Sequence, residues 1–277
     1  MTVIGDYHIH TNFCPHGSND LMEQYIKKAL SLNLKEITFT EHAPLPVGFV
    51  DPTPNHDSAM SWNDLEEYIQ TINHLKQLYQ KKLKINLGFE VDYIEGYEKQ
   101  TKAFLDQYGE HIDDAILSVH MLQTPNKEYV CIDYSREMFG NIIDTFGSVD
   151  SIYEKYYQTI EKAIQCNLGK YKPKRLGHLT LIEKFHLIYP AKNNYNEKMD
   201  EILMQIEAKH MELDLNSAGL FKEDCREIYP NISIINKAIK RNIPLVPGSD
   251  SHASNGLTKG FDQFPNTIPL SEPTYLD

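Results

Sequence analysis

The sequence of 277 residues has only four cysteines, and they form no recognisable pair. Cys14, Cys131, Cys166 and Cys225 are widely spaced and include no C-x-x-C motif, which argues against a disulfide framework and against a cysteine-based zinc knuckle. A chain of this length buries roughly 75% of its extended-chain surface and needs no disulfide to hold a core. We therefore expect a protein of the reducing cytoplasm.

Long hydrophobic runs are also absent. The first ten residues, MTVIGDYHIH, turn polar within six positions, so the charged and apolar regions of a secretory signal are lacking. No later segment approaches the roughly 18 consecutive apolar residues that a membrane-spanning helix needs. We expect a soluble protein without a membrane partner.

Positive charge is scarce as well. The chain has 27 Lys and Arg against 39 Asp and Glu, which gives a formal net charge of −12. Nucleic-acid binding normally draws on a Lys/Arg surface, so this composition disfavours a nucleic-acid partner. Histidine, in contrast, is abundant, with twelve residues.

Short apolar runs alternate with longer amphipathic stretches along the chain. The runs predict strands at 3–9, 35–40, 84–89, 113–119, 175–179, 211–215 and 244–247. The stretches between them predict helices at 19–32, 63–82, 96–108, 149–168, 197–209 and 231–241. This order predicts parallel β/α units in a single domain, residues 1–277, most economically as a TIM-like barrel. An open, doubly wound sheet is the alternative.

Two connections are longer than a compact domain usually needs. Residues 43–62 carry four prolines, and residues 121–149 mix aromatic and charged side chains. Connections of this length are typical of lids or binding loops.

Histidines and acids follow the predicted strands, at the end where parallel β/α barrels build their active sites. His8 and His10 alternate along the first strand, so both rings face the same side. Later strands end, in chain order, at His42, Glu90, His120, His178, Asp250 and His252, and a tight turn returns His16 toward the same mouth. The sixth strand ends at Asn216, which we expect to donate hydrogen bonds there.

The seven histidines and two acids at these strand ends, nine residues in all, indicate a metal centre. Imidazole with carboxylate is a donor set for zinc, iron and manganese, whereas calcium and magnesium prefer oxygen. One ion uses three or four protein ligands, so nine indicate two or three ions. The other five histidines are expected to be ordinary surface or core residues: His56, His74, His111, His186 and His210.

The ordered motifs resemble the PHP (polymerase and histidinol phosphatase) superfamily of metal-dependent phosphoesterases. They are H-x-H at 8–10, His16, TEH at 40–42, G-x-E at 88–90, SVH at 118–120, GH at 177–178 and SDSH at 249–252. The loop segments HTNFCPHGSND (10–20), ITFTEHAPLP (37–46), DPTP (51–54) and DSAMSW (57–62) resemble its histidinol-phosphate phosphatase branch of the Gram-positive type.

The resemblance implies a distorted (β/α)₇ barrel with a trinuclear centre of zinc, iron or manganese at the C-terminal strand ends. It assigns His8, His10, Glu90 and Asp250 to one ion, His16, His42 and His252 to a second, and His120, His178 and a bridging Glu90 to a third. Many superfamily members have Asp where this chain has Glu41. The implied reaction is hydrolysis of L-histidinol phosphate to L-histidinol and phosphate in L-histidine biosynthesis.

We expect a bridging water, made acidic by two ions, to attack the phosphate monoester, with Glu90, Asp250 and His252 as the catalytic residues. Asp250 or a metal-bound water is the candidate proton donor. A basic side chain should clamp the phosphate; the candidates are Arg175, then Lys222 or Arg226. The candidates for the remaining substrate contacts are Glu41, Asp92, Tyr93, Phe49, Trp62 and Asn216.

Three other functions are compatible with parts of the pattern. A nucleotide or nucleic-acid 3′-end hydrolase is disfavoured by the net charge of −12. A barrel hydrolase of amides or lactones typically uses a ligating lysine, and no lysine stands at a predicted strand end. A non-catalytic metal-binding protein should have lost ligands, whereas the set here is intact.

Overall fold

Seven parallel strands form a nearly closed barrel. The computed structural model of the chain describes residues 4–276. Its strands are β1 (Gly5–Ile9), β2 (Glu36–His42), β3 (Lys84–Asp92), β4 (Asp114–Ser118), β5 (Met121–Gln123), β6 (Tyr129–Cys131), β7 (Arg175–Leu176), β8 (Glu212–Asn216) and β9 (Leu245–Gly248). The large sheet has the order β1-β2-β3-β4-β7-β8-β9, with every neighbouring pair parallel, while β5 and β6 form a separate antiparallel hairpin.

The segment directly after β9 returns to β1 and nearly closes the sheet. The amide of His10 donates to the carbonyl of Ser251 (2.9 Å), and the amide of Asp250 donates to the carbonyl of His8 (2.8 Å). This seam excludes the open, doubly wound alternative and confirms the predicted TIM-like barrel. Within the predicted first strand, Val3 lies outside the described residues.

Seven helices pack around the barrel: α1 (Met22–Ser31), α2 (Leu65–Tyr79), α3 (Glu98–Tyr108), α4 (Arg136–Phe146), α5 (Val149–Gln165), α6 (Asn196–Ala208) and α7 (Ile232–Lys240). Each buries one apolar face; α5, for example, buries Tyr156, Ile160 and Ala163 at helical spacing. Full burial of one such large apolar side chain contributes about 1.5–3 kcal/mol. None of the described helices is long and apolar enough to cross a membrane.

The segment 121–149, which we predicted to be one long loop, is mostly ordered secondary structure. It contains the β5–β6 hairpin and helix α4. The side chain of Ser135 caps α4 by accepting from the amide of Met138, and Gly147 ends the helix in the left-handed region (φ 87°). Ser before and Gly after a helix are standard end signals, so the sequence contained evidence for α4. Residues 43–62 contain no helix or strand, as predicted.

A buried ion pair crosses the barrel interior below the mouth. The fully buried Arg175 donates from Nη2 to the carboxylate of Asp114 (2.5 Å) and to the carbonyl of Tyr7 (2.8 Å). Arg175 on β7 thereby joins β1 and β4, which are not neighbours in the sheet. The prediction that Arg175 clamps phosphate is wrong, because its side chain is enclosed inside the barrel and does not line the cavity at the mouth.

We predict that Arg175→Met lowers the free energy of unfolding by about 3–5 kcal/mol, because it leaves the buried Asp114 without its partner. Urea denaturation followed by circular dichroism measures the change. Arg241→Met is the matched control, since Arg241 pairs with Glu207 (3.0 Å) at the surface, where such pairs contribute about 0–1 kcal/mol. Equal losses in the two variants would contradict the structural role of Arg175.

Candidate active site

One oxygen of Glu90 faces the histidines of the first two strands. Glu90 Oε2 lies 3.3 Å from His8 Nε2, 3.4 Å from His10 Nε2 and 3.2 Å from His42 Nδ1. His8 Nε2 and His10 Nε2 are 3.2 Å apart, and Asp250 Oδ1 lies 3.3 Å from His10 Nε2. The ligand set that the resemblance assigns to one ion, His8, His10, Glu90 and Asp250, therefore converges in space.

The other oxygen of Glu90 faces a second pair of histidines. Glu90 Oε1 lies 2.8 Å from His178 Nε2 and 3.7 Å from His120 Nε2, and these two nitrogens are 3.2 Å apart. Ser118 Oγ donates to the same oxygen at 2.6 Å. Burial raises the pKa of the Glu90 carboxyl, but the neighbouring imidazoles, His8 foremost, hold it well below its usual range. An ionised Glu90 is thus placed between two groups of ligands.

A third group lies on the open side of the mouth. His16 Nε2 and His252 Nε2 are 3.1 Å apart, and the His42 ring centroid lies 5.3 Å from that of His16. Cys14 also belongs here, because its sulfur and ligand atoms of His10, His42 and His252 all lie within 4.8 Å of one another. Cys14 was not among the ligands expected from the sequence, although its place in the turn between His10 and His16 was a usable signal.

Five of the seven rings are oriented by a hydrogen bond from Nδ1. Carboxylates of three different strands accept from three of them: Asp214 from His8 (2.8 Å), Glu41 from His10 (3.1 Å) and Asp92 from His120 (2.7 Å). Backbone carbonyls accept from the other two: Asp57 from His16 (2.7 Å) and Asp250 from His252 (3.1 Å). Such outer partners fix the tautomer and direction of metal-binding histidines.

This arrangement fits divalent ions. A neutral imidazole that donates from Nδ1 has its lone pair on Nε2, so His16 and His252 turn two lone pairs toward each other across 3.1 Å. Two such lone pairs repel unless they share a cation. Nitrogens that bind one zinc tetrahedrally at about 2.0–2.1 Å are themselves roughly 3.3 Å apart, which agrees with the spacing of the three histidine pairs.

Asp250 is held in a strained conformation at the end of β9. Its φ of 54° lies in the left-handed region, which a non-glycine residue adopts at a cost of order 1 kcal/mol or more. The amide of Asn216 donates to Asp250 Oδ2 (3.2 Å) and to Asp214 Oδ2 (3.0 Å). Asn216 is fully buried and does not line the cavity, so its predicted substrate contact is replaced by a role in holding these two acids.

A cavity of about 900 Å³ opens onto the three ligand groups. Lys184, Lys222 and Lys259 line its wall. Lys222 was a predicted phosphate ligand; burial and the charge of Lys184 lower the pKa of its ammonium group. Lys184 was missed; it donates to Asp133 Oδ2 (3.0 Å) and to the Asp133 carbonyl (2.5 Å).

Most of the other residues predicted to contact substrate lie away from this cavity. Glu41 is fully buried and accepts from the amide (2.7 Å) and hydroxyl (2.6 Å) of Thr11 besides His10, so it orients a ligand and does not reach substrate. Of the remaining candidates, Asp92 lines the cavity but is bonded to His120. The candidates that do not line it are Phe49, Tyr93, Trp62 and Arg226. The five histidines expected to be ordinary do not line it either.

Known proteins resemble this chain in sequence. A profile of the PHP domain family matches residues 6–218. Over 261 residues the chain is 46% identical to the histidinol-phosphatase of Bacillus subtilis strain 168, covering 94% of this chain and 97% of that protein.

Two crystal structures share the fold. A Listeria monocytogenes protein assigned as a histidinol phosphatase superposes with a TM-score of 0.89 at 36% identity, covering 94% of this chain and 100% of that one. The histidinol phosphate phosphatase of Lactococcus lactis, complexed with zinc, L-histidinol and phosphate, superposes with a TM-score of 0.65 at 23% identity, covering 90% and 86% of the two chains. At that identity the likeness concerns the fold.

We predict that Asp214→Asn weakens metal binding by about 10- to 100-fold, because His8 loses the carboxylate that orients it. Competition with a chromogenic chelator measures the affinity, and elemental analysis counts the ions that remain. Asp144→Asn, an exposed position on α4, is the matched control and should bind metal like the wild type. Wild-type affinity in Asp214→Asn would show that the Asp214–His8 bond has no such role.

Proposed function

The chain belongs to the PHP domain family, and from that premise we propose that it is a histidinol-phosphatase, which hydrolyses L-histidinol phosphate to L-histidinol and phosphate in L-histidine biosynthesis. The observation that carries the proposal is the likeness to the Bacillus subtilis histidinol-phosphatase over 94% of the chain. The proposal treats residues 1–277 as one barrel domain working in the cytoplasm. The four cysteines, all free, are compatible with that compartment.

The donor atoms at the mouth support a centre of divalent metal ions, and we propose that three ions, zinc, iron or manganese, occupy it. One ion would use His8, His10, Glu90 and Asp250, another Glu90, His120 and His178, and the ion on the open side of the mouth His16, His42 and His252. Ions bound there would lower the pKa of a water and neutralise phosphate charge. Three divalent ions with their two carboxylate ligands, Glu90 and Asp250, sum to a formal charge of about +4, which Asp214, Glu41 and Asp92 behind the imidazoles reduce.

The chain's own residues would prepare the site in three ways. Glu90 holds two ligand groups at a fixed separation, because each of its oxygens faces one of them. Asp250 and His252 line the cavity from the last strand and so face the reacting phosphate. Lys222 and Lys259 are the lysines of this wall available to an anion, since Lys184 is paired with Asp133, and we propose that Lys222 contacts the phosphate.

The direct test is an assay of the purified protein with its native metal. We expect about three ions per chain by elemental analysis and faster phosphate release from L-histidinol phosphate than from a panel of nucleotides and sugar phosphates. Equal or faster turnover of a nucleotide would overturn the substrate assignment. Two or fewer ions per chain in fully active protein would overturn the trinuclear centre.

We predict that Glu90→Gln abolishes turnover and removes more than one ion, because two ligand groups share this carboxylate. Phosphate release and metal content are measured on the same preparation. Glu110→Gln, at an exposed position, is the matched control and should keep both. A Glu90→Gln variant that loses a single ion and remains active would rule out the bridging role.

A further inference from the structure

The connection between β2 and α2 forms one wall of the cavity and is tied to itself by hydrogen bonds. The Asp51 carboxylate accepts from the amide of Thr53 (2.8 Å) and from the amide (3.0 Å) and hydroxyl (2.7 Å) of Ser58. Thr53, Asp57 and Ser58 line the cavity. The loop thus presents Asp57 to the cavity on a braced backbone.

Asp57 is the one acid on the described cavity wall whose carboxylate has no cationic or imidazole partner. Glu90 and Asp250 face the histidines, Asp92 accepts from His120, and Asp133 accepts from Lys184. The carboxylate of Asp57 accepts only from neutral donors of its own loop, the hydroxyl of Thr53 (3.2 Å) and the amide of Asn55 (3.5 Å). Its oxygens therefore keep acceptor capacity for a donor in the cavity.

The position of Asp57 relative to the ligand groups suits a small substrate. Its backbone carbonyl accepts from His16 Nδ1 at 2.7 Å, and His16 Nε2 faces His252. The backbone of Asp57 therefore directly contacts a member of the ligand group His16, His42 and His252. A substrate whose phosphate lies at the ligand groups and that extends along this wall brings its next few atoms to Asp57.

The substrate of the proposed reaction carries a primary ammonium group on the carbon next to the phosphorylated one. The lysines of the wall, and ions bound at the ligand groups, would repel that cation, whereas a free carboxylate attracts it through a charge-assisted hydrogen bond. We propose that Asp57 is the specificity-determining residue that binds the ammonium group of L-histidinol phosphate. This inference rests on the proposed function.

The test separates the side chain of Asp57 from its backbone. Asp57→Asn keeps the carbonyl that holds His16 and removes only the charge. We expect its kcat/KM for L-histidinol phosphate to fall about 10- to 100-fold, the usual value of a hydrogen bond to a charged group. Its kcat/KM for 3-(imidazol-4-yl)propyl phosphate, which lacks the amine, should stay at the wild-type value, as should its metal content. Asp57→Glu, which restores the charge, should recover part of the loss.

The control is Asp144→Asn, which removes one exposed acidic charge on α4 that does not line the cavity. Its kcat/KM should stay at the wild-type value for both substrates. An equal fall of Asp57→Asn on both substrates, no fall on either, or a loss of metal would overturn the assignment of Asp57. Absence of wild-type turnover of L-histidinol phosphate would overturn the proposed function and this inference together. If the wild type turns over L-histidinol phosphate and Asp57→Asn changes kcat/KM equally for the two substrates, only the inference about Asp57 is overturned.

Discussion

Seven imidazole rings converge on one small volume. They can bind metal ions together only if each ring turns its free nitrogen toward the others. Without outside constraint, rings with facing lone pairs would rotate or protonate. The acids behind them, Asp214, Glu41 and Asp92, prevent the rotation by accepting from Nδ1. Burial lowers the pKa of His8, His10 and His120, but the negative charges of these acids at the same time raise it, and a bound cation opposes that protonation. These carboxylates are themselves buried, so their desolvation cost is recovered only while the imidazoles remain in place. The ligands and the acids behind them form one interdependent unit.

The barrel interior supports this unit from below. Asp214 receives hydrogen bonds from His8 and Asn216, and Arg175 ties β1 to β4 just beneath the ligands. The interior is therefore partly polar, which is unlike the layered apolar filling typical of β/α barrels. The apolar core lies mainly between the sheet and its surrounding helices, where α2 packs on β3. Stability is thus concentrated outside the barrel and ligand geometry inside it.

Much of the ligand set could be read from the sequence because the rule involved is local. A His or acid at the end of a strand points to the mouth in any parallel β/α barrel, whatever the details of packing. The rule did not predict the position of Arg175, because β7 is only two residues long. The side chain of Arg175 turns into the barrel toward Asp114, which lies about sixty positions earlier in the sequence. Lys184 and Asp57 were missed for a similar reason. Lys184 lies in a short 3₁₀ helix, Leu181–Phe185, and Asp57 in an irregular loop, and neither is long enough or regular enough for a period in the sequence to show the direction of a side chain.

The seam that closes the barrel also brings the first and last ligands together. β1 supplies His8 and His10, whereas Asp250 and His252 come from the other end of the chain, across the His10–Ser251 hydrogen bond. Gly248 makes the approach close, since a Cβ there would lie 2.5 Å from the Cβ of His8. During synthesis on the ribosome, the groups that contain Asp250 or His252 can be completed only after roughly 240 residues have followed His10, whereas Glu90, His120 and His178 are all present earlier. A chain that stops before Asp250 therefore lacks part of the ligand set. Ions can bind in the final arrangement only after the segment with Asp250 and His252 has been synthesised and has folded against β1.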